Sequence, residues 1–346
     1  MLAARMYGVR DIRLEEIPIP EIAEDEILLK VRAAAICGTD VRMINNGYKG
    51  ITPETPRILG HEIGGVIAKI GARVTGYEVG QRVAVAPNMG CGICAECVRG
   101  DGHLCRTYKA LGINLDGGFA EYCVIPARAV QGGNVIVLDD NVSFEEAAIN
   151  EPLSCVCNGF ERCQIGPGDY VMVIGAGPIG VMHAMLARMA GAGRVYINDI
   201  SQERLDACKA IDPAFVTVLG DPAEVVMRDT NGAGLDVCIT ACPAPSAQKQ
   251  ALELCGINGR VNFFGGVPAG KQPVGLDTNL IHYKQLIVSG TTRASLTQFR
   301  KTLKYISTGV LDVKPLITAT FALKDIQEGI DRATAAVGMK NIVVMD

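Results

Sequence analysis

The sequence predicts an α/β protein: a β-rich block, then a doubly wound parallel sheet, then a short C-terminal return to the first block. Three observations predict it. Short apolar and β-branched runs punctuated by Gly and Pro fill roughly the first 140 residues; strand-like and helix-like stretches alternate strictly from residue 170 to about 288; and a glycine-rich turn joins the first such strand to the first such helix.

The β-rich block rests on Ile27-Leu28-Leu29-Lys30-Val31, Gly65-Val66-Ile67-Ala68 and Arg82-Val83-Ala84-Val85, whose spacing suits a barrel or sandwich. At Ser143-Phe144-Glu145-Glu146 a capping box opens a helical run, and the hydrophobic period changes there. Val171-Met172-Val173-Ile174, Val195-Tyr196-Ile197, Val237-Cys238-Ile239 and Val261-Asn262-Phe263-Phe264 then read as the strands of βαβ units. Residues 295–309 and 323–336 read as amphipathic helices, and Asn341-Ile342-Val343-Val344 as a closing strand. The expected division is a β-rich domain at 1–148 with a cysteine lobe at 88–106, a nucleotide-type domain at 149–288, and the return at 289–346.

Composition removes several classes of function. With 346 residues, 33 Lys and Arg against 37 Asp and Glu, and 49% hydrophobic residues, the chain fills two globular cores and is not a disordered tail. No apolar run approaches the ~18 residues of a membrane span. The N-terminus carries Arg5, Arg10, Asp11 and Arg13 where a secretory signal would be apolar, so a cytoplasmic, soluble protein without a membrane partner is expected. A net charge of −4 and the absence of Trp count against a nucleic-acid partner. The 13 cysteines, an odd count, need a use other than disulfides in a reducing compartment.

Gly175-Ala176-Gly177-Pro178-Ile179-Gly180 follows a strand and precedes a helix, the context in which G-x-G-x-x-G signifies a dinucleotide site. The first glycine permits a tight turn, the second lets a pyrophosphate approach the backbone, and the third lets helix pack on strand. Asp199 ends the next strand, where its carboxylate can accept hydrogen bonds from ribose hydroxyls and repel a 2′-phosphate; this favours NAD over NADP. Arg204 stands near enough to lie against the adenine or ribose. The plain alternative is a Gly-rich turn followed by a solvated Asp.

Cys91, Cys94, Cys97 and Cys105 give C-x2-C-x2-C-x7-C, four thiolates able to enclose one tetrahedral Zn²⁺ with no open position, hence a structural ion. An iron–sulfur cluster is the chemical rival. His103, inside the lobe, reads as a surface residue, and the remaining cysteines as small core residues. A second set is dispersed: Cys37-Gly38-Thr39-Asp40 ends a predicted strand, Gly60-His61-Glu62 precedes another, and Asn150-Glu151-Pro152 adds a carboxylate. Cys, His and one or two Glu form a mixed S/N/O set that suits Zn²⁺ while leaving room for water or substrate, which makes it a catalytic site.

In this order and spacing these motifs resemble the zinc-dependent medium-chain dehydrogenases over essentially the whole chain. Within them the chain is similar to the polyol (sorbitol or iditol) branch, with threonine and galactitol-phosphate dehydrogenases as near relatives. The resemblance implies a GroES-like catalytic domain, a Rossmann coenzyme domain and an active site in the cleft between them. It implies Cys37 and His61 as zinc ligands and Glu62 as the third, while Glu151 either ligates directly or holds the zinc-bound water. Thr39 would begin a proton relay and Arg293 would reach substrate hydroxyls. Met43 stands where the branch often carries an aromatic, a departure that counts against sorbitol itself.

The cofactors implied are one catalytic and one structural Zn²⁺ together with NAD. The expected activity is hydride transfer from a secondary alcohol, a polyol or sugar alcohol, to NAD, giving a ketone. The rivals are oxidation of an amino alcohol such as L-threonine, and a non-catalytic nucleotide-binding protein on the same fold. Family likeness further implies a homotetramer or homodimer formed through the coenzyme domains.

Overall fold

Strand Ile27–Ala35 is buried along most of its length, with only Lys30 and Arg32 half-buried, and pairs on both sides. It runs antiparallel to Glu62–Ile70 along its length, to Tyr122–Ile125 at its start and to Lys340–Val344 at its end. Arg82–Val85, Val135–Val137 and Ile317–Ala322 complete this seven-stranded sheet, and Leu2–Gly8, Asp11–Glu16 and Arg57–Ile58 form a smaller one. The structure is a computed structural model describing residues 1–346, and the chain divides into two units: Met1–Ser154 with Arg293–Asp346, and Cys155–Thr292. The core of the first unit includes Met6, Ile27, Leu29, Ile63, Ile67 and Phe119, all essentially without solvent contact.

The capping box expected at Ser143 is present. Glu146 N–H donates to Ser143 Oγ at 3.2 Å and Ser143 N–H to the Glu146 carboxylate at 2.9 Å, opening the helix Phe144–Cys163. Pro152 lies inside this helix, where it removes one backbone donor. The helix expected at 295–309 runs Leu296–Ser307 behind a second capping box, Ser295 with Gln298. The expected helix at 323–336 is a single 3₁₀ turn, Leu323–Asp325, followed by Ile326–Thr334. Strand Ile317–Ala322, parallel to Lys340–Val344, was not anticipated.

In the second unit six parallel strands take the order Val216–Leu219, Arg194–Asp199, Tyr170–Ile174, Leu235–Thr240, Cys255–Phe263, Ile287–Gly290. This is the doubly wound dinucleotide order, whose reversal of direction falls between Tyr170–Ile174 and Leu235–Thr240, where ligands bind in such sheets. No helix is long and apolar enough to cross a membrane.

His183, on helix Pro178–Met189, is fully buried edge-on to Phe264, with ring centroids 4.7 Å apart, and neither ring nitrogen has a hydrogen-bond partner. Burial lowers its pKa to about 3 from 6.5. Between those values the unfolded chain takes up a proton that the folded chain refuses, so stability falls as pH falls through that window. His183→Leu is expected to flatten the decline of unfolding free energy on acidification by up to about 1.4 kcal/mol per pH unit. Urea titrations of both proteins from pH 7 to 4 check this; parallel curves would contradict it.

Candidate active site and metal centres

Strand Ile27–Ala35 ends two residues before Cys37, which caps the helix Gly38–Asn46 instead of ending the strand. Asp40 sits in the first turn of that helix, fully buried, and its carboxylate accepts the Cys37 N–H at 2.9 Å and the Gly60 N–H at 3.4 Å. Asp40 thereby ties the Cys37 turn to the Gly60-His61-Glu62 turn. Gly60 has φ +86°, and a Cβ there would stand 2.7 Å from the Phe119 ring, so only glycine brings His61 in at this angle.

The donor atoms of Cys37, His61 and Glu62 lie within 4.8 Å of one another. Cys37 is half-buried, whereas His61 and Glu62 are buried. His61 Nδ1 stands 3.4 Å from Asp40 Oδ1, a pairing distance at an angle that leaves the nitrogen without a hydrogen bond. Burial opposes a charged imidazole here, but the negative charges of Asp40 and Cys37 outweigh it and hold the His61 pKa well above its ordinary value. Glu62 is paired on one side only: Lys340 Nζ donates to Oε2 at 2.6 Å and to the Ile36 carbonyl at 3.1 Å, while Oε1 is buried with no partner.

The buried, unpartnered Glu62 Oε1 beside the Cys37 thiol and the His61 imidazole is what a divalent cation would satisfy, so the residues present fit a zinc ion. Glu151 falls outside this compact set, near the middle of helix Phe144–Cys163, and is buried. Glu62, the expected third ligand, shares the cluster, and Glu151, expected either to ligate directly or to hold the zinc-bound water, stands apart from it. Neighbouring Asn150 is structural: its amide donates to the Phe299 carbonyl at 3.0 Å and accepts from Thr302 Oγ1 at 2.7 Å. Thr39, half-buried, accepts from Arg42 at 3.4 Å. Met43 is buried in the core of this unit.

The four lobe sulfurs of Cys91, Cys94, Cys97 and Cys105 also lie within 4.8 Å of one another, with Cys91 and Cys97 4.0 Å apart. Sulfurs bound tetrahedrally at about 2.3 Å stand roughly 3.8 Å apart, so this spacing suits one zinc ion better than a multi-iron cluster. The thiols already receive donors: Cys91 N–H points to Cys105 Sγ and Cys94 N–H to Cys91 Sγ, both at 3.3 Å. The Thr107 hydroxyl, working against burial, brings the Cys105 pKa down to about 6.

His103, expected at the surface, is buried, and its carbonyl accepts from Arg293 at 3.0 Å. Arg293 also stacks 4.1 Å over the Tyr108 ring, so its guanidinium engages the lobe side of this unit. Six of the other cysteines, Cys123, Cys157, Cys163, Cys208, Cys238 and Cys255, are buried, and Cys155 and Cys242 are half-buried. Burial lifts the thiols of Cys123, Cys163, Cys208 and Cys255 to about 12, leaving them protonated and inert.

In the second unit, Gly177 caps helix Pro178–Met189, with Pro178 in the first helical position, where its missing N–H costs nothing. A Cβ on Gly180 would stand 1.8 Å from the Gly175 carbonyl oxygen, so helix and strand approach too closely for any other residue. Gly177 has open space where a Cβ would project, beside the positive end of the helix, as a pyrophosphate requires. Asp199 is held by the N–H groups of Ala176 at 2.8 Å, Ile200 at 2.8 Å and Ser201 at 3.0 Å, and Arg204 lies 4.0 Å from its carboxylate.

The model of the alcohol dehydrogenase GroES-like domain matches residues 23–132, and that of the zinc-binding dehydrogenase matches residues 178–308. Over 337 residues the chain is 33% identical to the sorbitol dehydrogenase of Bacillus subtilis (strain 168), covering 96% of this chain and 93% of that protein. It belongs to the zinc-dependent medium-chain dehydrogenase family. This medium-chain dehydrogenase is also 35% identical over 341 residues to the L-threonine 3-dehydrogenase of Mesorhizobium japonicum, covering 97% of this chain and 95% of that one. Its fold superposes on the crystal structure of galactitol-1-phosphate dehydrogenase from Escherichia coli with a TM-score of 0.89 and 26% identity, over 100% of each chain. The β-rich unit is thus the GroES-like domain and the parallel sheet the Rossmann domain of an oxidoreductase of the zinc-dependent alcohol dehydrogenase type.

Sequence reasoning missed Lys340 and the linking role of Asp40. Asp40 lies in the Cys37 motif, where its capping position is a usable signal, whereas a lysine in a terminal strand carries none.

Proposed function

We propose that this dehydrogenase oxidises a secondary alcohol of the polyol class with NAD, giving a ketone and NADH. The observation that carries the proposal is the convergence of Cys37, His61 and Glu62 donor atoms within 4.8 Å, with Glu62 Oε1 buried and unpartnered. When bound, a zinc ion there supplies Lewis-acid polarisation of the substrate hydroxyl, and NAD accepts the hydride. Cys37 and Glu62 provide the negative charge that retains the cation, His61 completes the donor set, and Lys340 keeps the Glu62 carboxylate oriented. Thr39 Oγ1 begins the proton relay, taking up the substrate hydroxyl proton as it passes its own on toward solvent, and Glu151 serves from outside the donor set through water. Gly175, Gly177, Pro178, Ile179 and Gly180 form the pyrophosphate turn, and the four-cysteine lobe holds a structural zinc.

NAD is preferred to NADP on this reading because Asp199, already fixed by three backbone N–H groups, presents its remaining acceptor capacity to the ribose hydroxyls. A homo-oligomer is supported by the edge strand Ile287–Gly290, near which Ile257, Tyr283 and Ile287 are exposed. A second reading, oxidation of the amino alcohol L-threonine, is supported by the 35% identity to an L-threonine 3-dehydrogenase.

The test is NADH formation across polyols, sugar-alcohol phosphates, 2,3-butanediol and L-threonine. A polyol is expected to give the highest kcat/KM with NAD, and Asp199→Ala to shrink the NAD-over-NADP ratio roughly ten- to a hundredfold, the worth of lost hydrogen bonds to a charged acceptor. Turnover of L-threonine alone would transfer the assignment to the second reading, and an unchanged cofactor ratio would remove the role of Asp199.

A further inference from the structure

The four-cysteine lobe is joined to the GroES-like domain by two strands of chain, at residue 90 on entry and at 105–107 on exit. Both are gripped by one side chain that comes from elsewhere in the sequence. Arg128, on the short helix Ala127–Gly132, donates Nε–H to the Gly90 carbonyl, Nη1–H to the Thr107 carbonyl at 2.8 Å, and Nη2–H to Thr107 Oγ1 at 3.3 Å and to Cys105 Sγ at 3.8 Å. Four thiolates around one divalent cation leave a net charge of −2, and a cation that hydrogen-bonds a ligand sulfur offsets it. The other charges near the lobe do less for this. Arg99 stands 3.8 Å from Asp101, Arg106 interacts with Glu96, and Glu96 itself hydrogen-bonds near Cys94, adding negative charge. Only a planar fork spans a carbonyl on one strand of the neck and a carbonyl, a hydroxyl and a thiol on the other; a lysine has one nitrogen.

We propose that Arg128 is the positioning residue of the four-cysteine metal site: it closes the neck of the lobe and polarises the Cys105 sulfur, and so sets how tightly the ion is retained. The inference rests on the reading of the lobe as a zinc site. It extends that reading to a residue outside the cysteine motif, and no lobe sequence would reveal it.

The experiment follows zinc release from the purified holoprotein into excess chelator while counting thiols that become reactive; lobe zinc is the fraction whose release exposes four thiols together. Wild type is expected to hold two zinc ions per chain. Arg128→Met is expected to release the lobe ion roughly ten- to a hundredfold faster, the effect typical of losing an outer partner of a metal ligand, with the other ion unaffected. In cadmium-loaded protein the sulfur-to-metal charge-transfer absorption should move to longer wavelength in Arg128→Met, because a sulfur relieved of its N–H donor is the easier to oxidise; a role confined to tying loops would leave it in place. If Arg128→Met does not fold, Arg128→Lys carries the test, with faster release than wild type expected. Equal release rates or an unmoved absorption band overturn the role of Arg128 while two zinc ions per chain uphold the lobe reading. A wild-type chain with no zinc whose release exposes four thiols overturns both.

Discussion

Replacing Cys37 or His61 with alanine is expected to lower kcat/KM at least about a thousandfold, beyond the ten- to hundredfold usual for outer partners of a metal site, while NADH still binds. The two side chains reach the cluster from separate turns that the buried Asp40 carboxylate ties together. Removing either leaves two donors, too few to hold a zinc ion in a catalytic geometry. Zinc content should fall from two ions per chain to one, and unfolding stability should change little, because Cys37 caps only a nine-residue helix. Parallel measurement of turnover, NADH fluorescence and zinc content separates this outcome from general unfolding. Full turnover in either variant would remove its residue from the chemistry.

The second large effect is expected at Lys340. Its ammonium is buried against Glu62 Oε2 at 2.6 Å, and Glu62 is fully buried. Burial disfavours charge on Lys340, yet Glu62 and Cys37 hold its pKa above the ordinary value, so the ammonium stays charged. Lys340→Met leaves an uncompensated carboxylate inside the protein, a change that costs about 3–5 kcal/mol. Metal-stripped Lys340→Met should therefore unfold at markedly lower urea concentration than stripped wild type. Adding Glu62→Gln should recover much of the loss, because the neutral amide has far less desolvation to withstand. A loss below about 1 kcal/mol, the range of an exposed ion pair, would show that water reaches Glu62.

The apolar strand runs named from the sequence, the Ser143 capping box, the glycine turn and the cysteine lobe were legible because each is written in contiguous residues. The apolar run Val171-Met172-Val173-Ile174, the interval between Ser143 and Glu146, and the spacing from Cys91 to Cys105 are local signals with local physical causes. What the sequence concealed lies in long-range pairings. Lys340 is 278 residues from Glu62 and looks like any exposed strand lysine. Arg128 serves a lobe that ends more than twenty residues before it. His103 and His183, in stretches of ordinary polarity and helical composition, gave no sign of their burial. Glu151, a carboxylate conspicuous in an apolar stretch, stands apart from the Cys37, His61 and Glu62 group, because composition carries no distance. Arg293, which the family resemblance directs toward substrate, also donates to the His103 carbonyl and lies over the Tyr108 ring, contacts that no local signal announces.

Anomalous diffraction at the zinc edge from crystals of the zinc-loaded protein tests the central claim most directly. Two peaks per chain are expected: one among Cys91, Cys94, Cys97 and Cys105, and one within about 2.0–2.3 Å of Cys37 Sγ, a His61 nitrogen and a Glu62 oxygen. A second peak displaced from Cys37 and His61, or none there at all, would contradict it.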